Sequence, residues 1–151
     1  ALLTSFFKTT LQHAIVLAFF MAMVLGINES VTMQSATLTV HKLHRLRDTW
    51  TGIGKAFQVE LCSAFFLALT CGTIVVGVVA LWGGTPISSL VIGGSLFLSI
   101  IFSGMWGLIV PYFLHLIQKD PKVAAAPIAL ALSDLTTLLI YFSLGARFLV
   151  E

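Results

Sequence analysis

Asp134 is the residue whose position most directly demands a chemical explanation. It lies twelve residues after Lys122 and seventeen before Glu151, between the apolar neighbours Leu132 and Leu135. An ionised carboxylate at the centre of a membrane costs roughly 2.5–3.5 kcal/mol on insertion scales. No lysine or arginine within the apolar segments can neutralise it. The main interpretation is that a mobile cation supplies the missing charge. The alternative is a protonated Asp134 that is hydrogen-bonded to a neighbouring helix.

Glu29 is the second acidic residue that the sequence pattern does not place in a loop, at a chain end or near a membrane interface. It belongs to a polar patch, residues 28–35, that interrupts an apolar segment. Such an interruption is typical of a broken helix that lines a cavity or an ion path. An ordinary loop between two elements is the other interpretation. Glu29 is accordingly either a second cation-attracting group or a solvated residue at the mouth of a path.

The sequence gives little support for a zinc site or for enzymatic catalysis. His41 and His44 are three residues apart, but they lie in a basic stretch without the further ligands that a zinc site requires. No nucleophile can be paired with a general base. We therefore do not expect an enzyme.

The composition places these acids in a membrane protein. Of the 151 residues, 58% are hydrophobic and only 9% are charged, and the mean hydropathy is +1.05. Soluble domains carry about 25% charged residues. The composition excludes a soluble enzyme, a nucleic-acid-binding domain and a disordered chain. It favours a single all-α domain over residues 1–151, a polytopic helical bundle in the lipid bilayer.

Four apolar segments predict the membrane spans, at about residues 10–40, 56–82, 87–118 and 122–149. Residues 1–7 resemble the tail of a helix that has been cut short. Two stripes of small residues recur every fourth position, which lets helix backbones approach closely. They are Ser95, Ser99, Ser103 and Gly107, and then Ala125, Ala129, Ser133 and Thr137.

The basic residues predict the orientation. Six of the eight fall within residues 41–56 and 118–122, whereas residues 82–86 carry no charge. Lysine and arginine collect on the cytoplasmic side of membrane proteins. We therefore expect both basic loops in the cytoplasm, facing lipid headgroups, and the C-terminus outside.

Two groups of motifs resemble the MgtE magnesium channel family over nearly the whole chain. Ala18-Phe19-Phe20, Gly26 and Gln34-Ser35-Ala36-Thr37-Leu38 are similar to its second transmembrane helix. The more specific group is similar to the fifth helix: Asp120-Pro121, Pro127, Ser133-Asp134 and Leu139-Ile140-Tyr141-Phe142.

The resemblance implies a two-fold homodimer with five helices in each protomer, in which the second and fifth helices line a central pore. It also implies that the aspartate at position 134 attracts a hydrated Mg²⁺ ion. The family's topology, with the C-terminus outside, agrees with the distribution of charge. The expected location is a bacterial or archaeal plasma membrane.

The chain departs from the family pattern in the polar patch. The family usually has Gly-Gly-Asn and a further glycine before the Gln-Ser pair, where this chain has Asn28-Glu29-Ser30 and Thr32. Without those glycines, the close backbone approach that they allow is no longer expected from this helix. We expect a pore that is narrower or differently gated at this level.

Together these observations predict a passive pathway for a hydrated divalent cation, with Mg²⁺ as the transported ion. Magnesium dehydrates reluctantly, so carboxylates and carbonyls can hold it through water. The alternatives are a transporter coupled to protons or sodium, and a non-conducting subunit that only assembles with partners. The residues expected to line the pore are Asn28, Ser30, Gln34, Leu130, Ser133 and Thr137.

Overall fold

The protein is all-α, as predicted. The computed structural model describes residues 2–45, 50–117 and 121–150. They form α1 (Leu2–Arg45), α2 (Trp50–Leu81), α3 (Pro86–Leu116) and α4 (Pro121–Gly145), and α4 continues into a π-helical turn, Ala146–Val150. Parts of both predicted basic loops, residues 46–49 and 118–120, lie outside the described residues.

Three stretches of the described chain are long and apolar enough to cross a membrane. They are Phe57–Leu81, Pro86–Leu116 and Ala124–Phe148. These stretches agree with three of the four predicted spans to within a few residues. The predicted span 10–40 lies within α1, which is not among the three. At 44 residues, α1 is about 66 Å long.

The polar patch does not break α1, so both the broken-helix interpretation and the two-element alternative are wrong. Residues 2–7 belong to the same helix, which begins at Leu2. The helix tolerates the patch because its hydroxyl groups bond to the backbone one turn earlier. The Oγ of Ser30 donates to the carbonyl of Gly26 across 3.0 Å, and Thr37 donates to Met33 across 2.7 Å. Most of the predicted loop 41–56 is also helical.

A tight connection joins α2 to α3. Gly83 adopts a φ of 80°, and the N–H of Gly84 donates to the carbonyl of Val79 across 3.0 Å, which ends α2. Thr85 then caps α3 by accepting a hydrogen bond from the N–H of Ser88, and Pro86 occupies the first turn, where it displaces no helical hydrogen bond. The two helices therefore run antiparallel, with the uncharged predicted loop at their shared end.

The helix α3 lies at the centre of the bundle and packs against the other three helices. Its predicted stripe of small residues is buried, and so is the stripe on α4. The packing role predicted for the α3 stripe is confirmed. The helix α1 packs between α3 and α4, and this arrangement brings the polar patch beside Asp134.

The neighbouring glycines Gly93 and Gly94 provide a matched test of the contact between α2 and α3. A Cβ at position 93 would collide with the side chain of Val76 and lie 3.1 Å from the carbonyl oxygen of Gly72, whereas one at position 94 would meet open space. We expect Gly93→Ala to destabilise the protein by about 1–3 kcal/mol through overpacking. Gly94→Ala should be neutral or stabilising by up to about 1 kcal/mol, because alanine favours helix. Melting midpoints in detergent check the pair, and equal midpoints would contradict the packing described.

Candidate functional site

Two carboxylates come together where α1 packs against α4. Asp134 lies near the middle of the span Ala124–Phe148 and is partly buried, while Glu29 on α1 is exposed. The hydrogen bond from Oγ1 of Thr32 to Oγ of Ser133, 2.9 Å long, joins the two helices here, so Glu29 and Asp134 lie near the same level of the bundle. We call Glu29 and Asp134 the acidic pair. Of the predicted site residues, these two are the acids, and the fold brings them to the same edge of the protomer.

Two polar atoms beside the acidic pair are buried without a hydrogen-bond partner among the described residues. They are Oδ1 of Asp134 and Oγ1 of Thr137. Buried acceptors are nearly always satisfied in folded proteins, and an unpaired one is costly in an apolar setting. Both atoms retain unused capacity to accept a hydrogen bond. Thr137 itself is only 1% exposed.

Behind the acidic pair lies a buried polar network, which we define as Asn28, Thr32, Ser99, Ser103 and Ser133. The Nδ2 atom of Asn28 donates to the carbonyl of Val24 and to Oγ of Ser99, each across 2.9 Å. Its Oδ1 atom accepts from Oγ of Ser103 across 3.0 Å. The amide thus ties α1 to the centre of α3.

Each hydroxyl group has one proton to donate, which fixes the donor and the acceptor of each hydrogen bond in the network. The single hydroxyl proton of Ser103 goes to Asn28, so Ser133 must be the donor in the 2.7 Å contact between the two serine hydroxyls. Thr32 in turn donates to Oγ of Ser133 across 2.9 Å, and its proton is shared with the carbonyl of Asn28. The chain of donors therefore runs from Thr32 through Ser133 and Ser103 to Asn28, linking α1, α4 and α3.

A glycine on α3 supplies the close approach that α1 was expected to have lost. A Cβ at Gly107 would lie 2.6 Å from Cβ of Ser35 and 2.7 Å from the carbonyl oxygen of Thr32. One turn earlier on α3, the carbonyl of Gly104 accepts a hydrogen bond from Ser35 across 3.0 Å. The backbones of α1 and α3 therefore remain close although α1 carries Asn28 and Thr32. The effect on pore width stays a prediction.

The fold divides the residues expected to line a pore. Asn28, Ser133 and Thr137 are buried inside the protomer, and Leu130 is partly buried one turn before Asp134. Ser30 and Gln34 instead line an open cleft of about 330 Å³ between α1 and α2, together with Leu67 and Cys71 of α2. The structure therefore brings the first group beside the acidic pair and places Ser30 and Gln34 on another face of α1.

The polar network was not predicted from the sequence. The spacing of Ser99 and Ser103 predicts packing alone, and Thr32 figures there only as a member of the polar patch. The available signal was that the α3 stripe carries hydroxyls where alanine or glycine would pack equally well. In a membrane, serine and threonine at such positions hydrogen-bond across helices.

The described residues contain no group of three or more His, Cys, Asp or Glu side chains that could hold a metal ion directly. Two carboxylates with spare acceptor positions suit a different type of binding. A divalent ion that keeps its water shell needs acceptors for water protons and compensating negative charge, both of which the acidic pair provides.

Comparison with known proteins gives consistent matches over most of the chain. The family model MgtE, described as a divalent cation transporter, matches residues 21–144. A magnesium transporter MgtE from Bacillus subtilis (strain 168) is 31% identical over 145 residues and 96% of this chain. Those from Thermus thermophilus and Enterococcus faecalis are 36% and 26% identical over 149 residues, which is 96% and 99% of the chain. The chain spans about a third of the length of these relatives, 32–33%.

Proposed function

The chain belongs to the MgtE family of divalent cation transporters, and we propose that it forms a membrane pathway for a hydrated divalent cation, most simply Mg²⁺. The observation that carries this proposal is Asp134. Its carboxylate lies within a span that contains no basic residue from Ala124 to Gly145, and its Oδ1 has no hydrogen-bond partner among the described residues. A passing cation would supply both the missing charge and, through its water, the missing hydrogen bond.

The charge of the acidic pair favours a divalent ion. Carboxylates that repel each other are stabilised about twice as strongly by an ion of charge +2 as by a monovalent ion at the same distance, because the attraction scales with the ion's charge. A magnesium ion would keep most of its water and be held through that water by Asp134, with Glu29 adding to the attraction. The relatives that match the chain are magnesium transporters, in agreement with this ion.

We further propose that two copies pair around a two-fold axis, with Asp134 of each copy facing the path. The support is that the acidic pair lies at the protomer's surface: Glu29 is exposed and Asp134 is partly buried. The outward face of α4 beside it is apolar, with Leu135 60% and Leu139 69% exposed. A symmetric partner would cover such a face and enclose the carboxylates. The C-terminus would lie outside and the basic segments in the cytoplasm.

Flux measurement in liposomes tests the proposal. The protein is reconstituted with a Mg²⁺-sensitive dye inside the vesicles, and a potassium diffusion potential is imposed. We expect Mg²⁺ entry that rises when the interior is negative and that is unchanged by pH or sodium gradients. Entry driven by either gradient would instead indicate a coupled transporter. Dimers without flux would indicate a non-conducting subunit.

Replacing Glu29 by glutamine tests the second carboxylate. We expect the Mg²⁺ concentration for half-maximal uptake to rise by about three- to tenfold, because a divalent ion loses one of its attracting charges across water. Glu60→Gln is the matched control, since Glu60 lines a small cleft between α2 and α3. The control should leave the half-maximal concentration unchanged. Equal effects of the two substitutions would mean that Glu29 acts only through overall charge.

A further inference from the structure

The buried polar network joins the two residues that immediately precede the carboxylates of the acidic pair. Asn28 precedes Glu29 on α1, and Ser133 precedes Asp134 on α4. Ser103 of α3 stands between them, bonded to Oδ1 of Asn28 across 3.0 Å and to Oγ of Ser133 across 2.7 Å. Thr32 adds a direct bond between α1 and α4. The positions of the two carboxylates along their helices are therefore linked through buried hydrogen bonds.

We propose that Asn28 is a positioning residue, which holds Glu29 at the level of Asp134 so that both carboxylates act on one ion. The inference rests on the proposed function, because positioning Glu29 matters only if Glu29 and Asp134 attract an ion. Asn28 itself touches no ion. Asn28 acts through Ser103 and Ser133, and its own side chain is fully buried.

The hydrogen bonds of Asn28 leave it no equivalent alternative position. Both amide protons and the amide oxygen are engaged, and turning the amide over would place Oδ1 against the carbonyl oxygen of Val24. A shift of α1 by one residue moves it about 1.5 Å along its axis and turns it about 100°. Such a shift would leave several buried polar groups unpaired, which is penalised in an apolar environment. The network therefore selects a single register between α1 and α4.

Two serines on α3 provide matched substitutions that distinguish the positioning of Glu29 from an effect on protein stability alone. Ser99 and Ser103 are one turn apart, equally buried, and each bonded to the amide of Asn28. Of these two serines, only Ser103 connects the amide of Asn28 to Ser133, since the proton of Ser99 goes to the carbonyl of Leu96. Ser99→Ala and Ser103→Ala each remove one partner of Asn28, and only Ser103→Ala cuts the link from the amide of Asn28 to α4, while the bond from Thr32 to Ser133 remains.

The experiment measures how strongly Glu29→Gln weakens Mg²⁺ binding in each background. Apparent dissociation constants for Mg²⁺ alone come from the rise of the melting midpoint with Mg²⁺ concentration, so a variant without flux can still be measured. We expect Glu29→Gln to weaken binding about three- to tenfold in the unmodified protein and in Ser99→Ala, and by less than about twofold in Ser103→Ala. Thr32→Val, which removes the direct donor to Ser133, should behave like Ser103→Ala and replaces it if that variant does not fold.

Three outcomes would overturn the inference. In the first, Glu29→Gln weakens Mg²⁺ binding by the full amount in both Ser103→Ala and Ser99→Ala. In the second, its effect on Mg²⁺ binding shrinks equally in both backgrounds, as a purely structural network predicts. It would also be overturned if Glu29→Gln had no effect in the unmodified protein. The proposed function fails separately, if Asp134→Asn leaves Mg²⁺ stabilisation of the protein unchanged.

Discussion

Replacing Asp134 by asparagine is expected to lower Mg²⁺ uptake at least tenfold while the protein stays folded. The substitution preserves shape and removes the charge. A divalent ion about 5 Å from one carboxylate gains about 1.7 kcal/mol even at the dielectric constant of water, and more in the lower dielectric of a membrane protein. Losing this attraction corresponds to a factor of at least about ten. Dye-loaded liposomes measure the uptake.

For the same variant we predict that stability is unchanged or higher, although uptake is lost. A charged aspartate in the middle of a span costs roughly 2.5–3.5 kcal/mol on insertion scales. Asp134→Asn should therefore melt at the same temperature as the unmodified protein or higher in the absence of Mg²⁺. The rise of the melting midpoint on adding Mg²⁺ should be lost, because the ion no longer binds the native state. A lower melting midpoint with normal uptake would identify Asp134 as a structural residue.

Gly107→Ala is expected to have the largest effect on stability among the glycine variants. The added methyl group would meet Cβ of Ser35 at 2.6 Å and the backbone oxygen of Thr32 at 2.7 Å, and a backbone atom cannot rotate out of the way. The helices α1 and α3 must then separate, which stretches the bonds from Asn28 to α3. Overpacking costs about 1–3 kcal/mol, which lowers the melting midpoint of a chain of this size by several degrees.

Gly77→Ala is the control for this prediction. Gly77 is also inside a helix, but it is exposed, and a Cβ there meets nothing within 4 Å. Alanine should leave the melting midpoint unchanged or raise it slightly, since it is the better helix former. Thermal melts of both variants in the same detergent give the comparison. A neutral Gly107→Ala would mean that α1 and α3 are further apart than described.

The sequence was sufficient to predict the all-α bundle, the packing stripe of α3 and the position of Asp134 within an apolar span. Each of these depends on local properties: the length of an apolar run, a spacing of four, or one acid among leucines. The continuity of α1 was not predictable in the same way. Polarity alone does not distinguish a loop from a helix whose hydroxyls bond to the preceding turn, as Ser30 and Thr37 do.

The division of the polar patch could not be read from the sequence either. Asn28 and Ser30 are two positions apart, which on a helix turns their side chains about 200° from each other. One therefore enters the interior beside α3 and α4, and the other faces the cleft with α2. Which of the two faces meets α4 depends on contacts between helices distant in sequence. The bonds from Asn28 to Ser99 and Ser103 are of this kind, since they span more than seventy residues.

Locating the ion tests the central claim most directly. Crystals of the protein grown in a lipid phase with Mn²⁺ in place of Mg²⁺ would show the metal by anomalous diffraction. We predict a peak facing Asp134 and Glu29, further from their oxygens than the roughly 2.1 Å of direct magnesium coordination, and no peak in Asp134→Asn. A carboxylate of Asp134 enclosed in a dry helix contact, with the metal bound elsewhere or not at all, would contradict the account.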